Sequence, residues 1–104
     1  MTTAHAPAAT RSLLVRVEAK PGKEAEVEAF LRSALPLAQA EPGTIHWFAL
    51  KIGPSTFGVF DTFAEEAGRE AHLAGPIAAA LMAKASELLA SPPVIEKVDL
   101  LAVK

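Results

Sequence analysis

Three side chains in the middle of the chain have the types that proton chemistry needs: His46, Asp61 and His72. An imidazole titrates near neutrality, so His72 is a candidate general base or hydrogen-bond donor. The plainer reading is a helix-terminal histidine bonded to the backbone. His46 and Asp61 fall on extended stretches either side of Gly53-Pro54. A turn of even length there would put His46, Phe48 and Leu50 on one sheet face with Val59, Asp61 and Phe63. An aspartate among Phe57, Val59 and Phe63 is costly to bury unpaired. A His46–Asp61 hydrogen bond is therefore expected, orienting the imidazole as carboxylates do for catalytic histidines; alternatively the two form an ion pair near the sheet edge that only sets register. Phe48, Val59 and Phe63 become pocket walls if a cavity opens beside them, and core residues otherwise. Arg69 could hold a carboxylate or carbonyl of a ligand, or serve as a solvated helix charge. The two histidines and Asp61 also suit a metal by type, but ligands scattered without a spacing motif do not define a site, and no metal is expected. With no GxGxxG, P-loop or nucleophile elbow, no nucleotide or flavin cofactor is expected either.

The elements that must position these residues are legible from periodicity. Leu13, Val15 and Val17 alternate with Arg16 and Glu18, the signature of a strand over 12–19. Lys20-Pro21-Gly22 ends it, and Val27, Phe30, Leu31, Ala34 and Leu35 then recur at helical spacing within 23–40, with acids at the start and Pro36 predicting a kink. Strands are predicted over 44–52 and 55–63, a short helix over 64–73, a second over 77–90 with Pro76 at its first turn, and a last strand over 94–103. Residues 1–11, which include His5, read as a loose leader ahead of one domain over 12–104.

This order, strand, helix, two strands, helix pair, strand, is the split βαβ plan: an α+β, ferredoxin-like sandwich with a four-stranded antiparallel sheet. Helices cover one face of such a sheet, yet both faces here carry apolar residues. The even-turn register puts Leu14, Trp47 and Phe60 on one face, with Trp47 as the anchor of a subunit contact or a stacking partner for an aromatic ligand. Val15, Phe48, Val59 and Phe63 go to the other. An apolar face without helices calls for a second copy of the chain, so a homodimer is expected.

Composition narrows the class further. The chain has 104 residues, 51% hydrophobic and 21% charged, with a formal charge of -2 and no basic run, so nucleic acid is not an expected partner. The absence of cysteine removes disulfides, thiolate nucleophiles and cysteine metal sites and permits a reducing compartment. No apolar run is long enough for a signal sequence core or a membrane span, which makes a soluble cytoplasmic protein the expectation.

The segments VEAKPGKEAEVEAFL, AEPGTIHWF, FGVFDTFAEEAGREAHLAG and VDLLAVK, in this order, resemble the antibiotic biosynthesis monooxygenase-like family from about Leu13 to Val103. The resemblance implies a dimeric α+β barrel with one cavity per subunit between sheet and helices. It also implies possible activity as a cofactor-independent oxygenase of small aromatic substrates, quinols or anthrone-like molecules. His72, in AHL, matches a pattern common in monooxygenase-like members and would take a phenolic proton to leave an electron-rich phenolate for dioxygen. The haem-degrading branch uses an asparagine, a tryptophan and a histidine where this chain has Val15, Phe63 and a residue close to Ala80, so haem turnover is not expected. The rival to an oxygenase is a non-catalytic dimeric module of the same fold that binds a small apolar ligand or supports a stress response.

Overall fold

The computed structural model describes residues 8–104; the greater part of the expected leader, with His5, lies outside them. Within the described residues, Thr10 donates its N–H to the Phe63 carbonyl and its hydroxyl to the Ala64 carbonyl, so the chain is tied to the sheet before β1 begins at Arg11. The elements are β1 (Arg11–Glu18), α1 (Glu24–Ser33), α2 (Leu35–Gln39), β2 (Thr44–Lys51), β3 (Thr56–Phe63), α3 (Glu66–Leu73), α4 (Pro76–Leu88) and β4 (Val94–Asp99). The sheet is four-stranded and antiparallel with order β2-β3-β1-β4, the ferredoxin-like arrangement expected.

Pro36 does more than kink the expected long helix. It lacks an N–H for the Arg32 carbonyl, so α1 stops at Ser33 and α2 starts afresh with Pro36 in its first turn. Leu35, placed on the apolar stripe from its spacing, is exposed as a result. The last strand also ends early: β4 stops at Asp99, and Leu101 is fully exposed.

The largest correction concerns the hairpin. Ile52 and Gly53 both donate to the Thr56 carbonyl, which makes Gly53-Pro54-Ser55 a three-residue turn rather than an even one. Its geometry is held from outside: the Glu18 carboxylate accepts from Ser55 Oγ at 2.6 Å and from Thr56 Oγ1 at 2.7 Å, which also lowers the Glu18 pKa. One extra turn residue shifts the pairing by one, so His46 faces Thr62, Trp47 faces Asp61 and Phe48 faces Phe60. From His46 to Lys51 the side chains of β2 thereby change their companions, while an irregularity between Thr44 and His46 returns Thr44 to Phe63.

The helix-covered face carries Val15, Val17, Phe57, Val59, Asp61, Phe63 and Trp47. Val17, Phe57 and Val59 pack with Val27, Leu31, Leu88 and Leu89, while Trp47 also reaches Ala34, Ala38 and Ile77. Leu14, His46, Phe48 and Phe60 lie on the other face. There the rings of His46, Phe48 and Phe60 stack in a row with centroids 6.3 and 6.5 Å apart, and Phe48 is half exposed. Trp47 is therefore a core residue under the helices and not the anchor of an open face. None of the described helices is long and apolar enough to cross a membrane.

Candidate functional site

β3 ends in an alternation that sends Asp61 and Phe63 inward, and α3 follows after a two-residue link, which returns His72 over the same strand. Glu41 arrives from the other side, in the loop between α2 and β2. Two glycines let these segments meet: a Cβ on Gly68 would stand 2.9 Å from the Gly43 carbonyl oxygen, and one on Gly43 would stand 3.0 Å from Gly68 Cα. Backbone thus presses on backbone where α3 crosses the start of β2.

The result is a three-residue polar cluster. His72 Nδ1 lies 2.6 Å from Glu41 Oε1, and Nε2 lies 2.9 Å from Asp61 Oδ2. Glu41 Oε1 also accepts from Thr44 Oγ1 at 2.8 Å. Asp61 is wholly buried, and its contact with Nε2 is an ion pair by distance that lacks hydrogen-bond alignment, leaving Oδ1 with no partner at all among the described residues. Burial of His72 works against its charged form, but the adjoining Asp61 and Glu41 outweigh it and raise the imidazole pKa to about 9. At neutral pH the ring holds its proton. His72 as an unpaired general base, one of the roles its type suggested, does not fit this geometry: both ring nitrogens face carboxylates, the side chain is buried, and Phe63 lies against it with ring centroids 5.5 Å apart.

A cleft of about 350 Å³ opens beside this cluster, lined by Glu41, His72, Leu37, Gly43, Ala71 and Pro76 among others. Its walls are mostly apolar, and its charged groups are Glu41 and the edge of His72, a pairing suited to an aromatic ligand with one acidic proton.

The remaining candidates divide. Val59 and Phe63 are buried on the same sheet face as Asp61, as expected. His46 and Phe48 are not with them. The three-residue turn places both on the opposite face, where His46 Nδ1 meets Thr62 Oγ1 at 2.8 Å, so the expected His46–Asp61 hydrogen bond does not form. Arg69 is neither a ligand clamp nor a solvated charge. It is buried, pairs with Glu66 at 2.6 Å, and donates to the Ser12 and Val98 carbonyls, fastening α3 to β1 and β4. Its guanidinium lowers the Glu66 pKa through the same hydrogen bonds. Glu41 went unnoticed in the sequence because its signal, an acid ahead of Pro42-Gly43, is that of an ordinary helix end. Among the described residues no group of three or more side chains is arranged to hold a metal ion.

Comparison with solved structures gives a strong match to NE2512, a protein of unknown function from Nitrosomonas europaea: 68% identity over 95% of this chain and 96% of that one, with a TM-score of 0.92. A second Nitrosomonas europaea protein, provisionally an antibiotic biosynthesis monooxygenase, shares the fold at 16% identity with a TM-score of 0.78, covering 88% of this chain and 90% of its own. A protein from Chloroflexus aurantiacus with the same provisional assignment does so at 16% identity and 0.70, over 91% and 96%. No family model matches the sequence, and no curated protein matches it.

Proposed function

From a chain that belongs to one family with Nitrosomonas europaea NE2512 and has the fold of antibiotic biosynthesis monooxygenase-like proteins, we infer a small monooxygenase that oxidises a quinol or anthrone-like molecule with dioxygen. The observation that carries this reading is the Glu41–His72–Asp61 cluster at the wall of an apolar cleft. One imidazolium between two carboxylates leaves a net negative charge, so the cluster takes up one further proton without becoming cationic. Glu41, at the cleft, accepts the acidic proton of the substrate. His72 keeps its own proton and offsets the charge left on the substrate, while Asp61 holds His72 in place from behind.

The electron-rich anion then reacts with dioxygen without a bound cofactor. For an anthrone-type methylene, both C–H bonds are lost and one oxygen atom becomes the new carbonyl oxygen. The other leaves as water with the two hydrogens, so the carbon gives up four electrons and dioxygen accepts four.

The same reading takes the aromatic face of Phe48 and Phe60 as the contact of a homodimer, residues 12–104 as one monooxygenase-like domain, and the cytoplasm as its compartment. Oxygen uptake with anthrone and with a naphthohydroquinone tests the activity. Glu41→Gln should lower turnover by about 10²–10⁴-fold, the usual contribution of a positioned acid or base. Equal rates would remove Glu41 from the chemistry. Uptake with neither substrate would leave the non-catalytic binding module as the better account.

A further inference from the structure

Glu41 has one oxygen that the cluster does not use. Its Oε1 takes both contacts, the His72 imidazole at 2.6 Å and the Thr44 hydroxyl at 2.8 Å. Oε2 has no hydrogen-bond partner among the described residues, and it is not sealed from solvent as Asp61 Oδ1 is. It stands 3.3 Å from where a Cβ on Gly75 would be, and Glu41 and Gly75 both line the cleft. The oxygen is thus an open acceptor in a mostly apolar wall.

No cation free to pair with an anion accompanies it. Neither lysine nor arginine lines the cleft among the described residues. The one cation there, the His72 imidazolium, has both ring nitrogens against carboxylates, and Thr44 spends its hydroxyl hydrogen on Glu41. An anion that enters therefore finds the Glu41 carboxylate and no side-chain donor to meet it, and it must shed its hydration in an apolar space. A neutral or cationic donor finds Oε2.

We propose that the cleft selects its ligand by charge: it takes a small aromatic molecule bearing a neutral or cationic hydrogen-bond donor, held by Glu41 Oε2, and it rejects the same ring bearing a carboxylate. The inference rests on the cleft being the ligand site but not on the oxygen chemistry. It narrows the substrate to uncharged quinols or anthrones, and it makes protonated aromatic amidines and amines blocking ligands of the same site. The anion formed during the reaction is not an exception. It arises only as its proton passes to Glu41, which is then neutral, whereas an anion arriving from solvent meets the carboxylate still charged.

Benzamidine, benzamide and benzoate share nearly one shape and are respectively cationic, neutral and anionic at neutral pH. Titrated into isotope-labelled wild-type protein, benzamidine and benzamide should move the amide resonances of Gly43, Ala71 and Gly75 in the cleft. Benzamidine should bind about tenfold more tightly, the scale on which a charge-assisted hydrogen bond exceeds a neutral one. Benzoate should leave these amides still at the same concentrations. In Glu41→Gln the advantage of benzamidine over benzamide should fall to near parity; an advantage kept in that variant overturns Glu41 as the holder. Benzoate bound by wild type as tightly as benzamidine overturns the charge selection and leaves the cleft as the ligand site. Silence of every cleft amide with all three overturns the two together. The wild-type titrations decide the matter even if Glu41→Gln folds poorly, and they are independent of whether anthrone is oxidised.

Discussion

Trp47 faces Asp61 across the β2–β3 ladder, and this single pairing decides which side chains share the core with the buried carboxylate. It puts the indole under the helices and sends His46 to the opposite face. Two of the expectations drawn from the sequence, a His46–Asp61 pair and a Trp47-centred subunit contact, are replaced by it.

His72 makes stability depend on pH in a defined direction. Its folded pKa of about 9 stands above the ordinary value of 6.5, so its contribution is complete below about 6.5 and is lost as pH rises through about 9. The wild-type protein should lose on the order of 3 kcal/mol of unfolding free energy between neutrality and about pH 10 from this residue. Urea unfolding across that range checks it. In His72→Gln the corresponding slope should be absent; a wild-type slope retained in the variant would assign it to other groups.

The aromatic row on the open face is the contact of the proposed homodimer. If the proposal holds, wild type sediments as a dimer, and Phe48→Asp or Phe60→Glu should shift it to monomer without altering its helical content. Trp47→Glu should instead unfold it, because a charge would enter the core beside Ala38 and Ile77. Sedimentation unchanged by either phenylalanine variant would reject this face as the contact.

The close crossing of Gly43 and Gly68 has no room for a methyl group. Gly68→Ala should destabilise the protein by about 1–3 kcal/mol, a fall in Tm of several degrees or more for a domain of this size. It should also loosen the Glu41–His72 contact, seen as a lower His72 pKa in an NMR titration. An alanine variant as stable as wild type, with His72 unmoved, would show that the crossing does not position the cluster.

His46 offers a control. With its imidazole on the face away from Asp61, His46→Ala should leave turnover within about threefold of wild type under conditions where the two proteins sediment alike, since a base acting directly would contribute far more. A loss comparable to that of Glu41→Gln would contradict the separation of the two faces.

Apart from the break at Pro36 and the early end of β4, the elements and their order were determined by the sequence itself, because alternation in β1, helical spacing in α1 and α4, and the proline and glycine punctuation act within a few residues. Asp61 was recognisable as buried from its apolar neighbours, and His72 as a candidate from its type and place. What the tertiary structure alone decided is how they combine. Glu18, on a different strand, holds Ser55 and Thr56 in a hairpin that turns in three residues, and that one-residue difference exchanges the faces of β2 from His46 to Lys51. The partners of His72 come from the α2–β2 loop and from β3, brought together where Gly43 meets Gly68. Local periodicity carries no record of such meetings, because side chains distant in the chain set them through packing and charge.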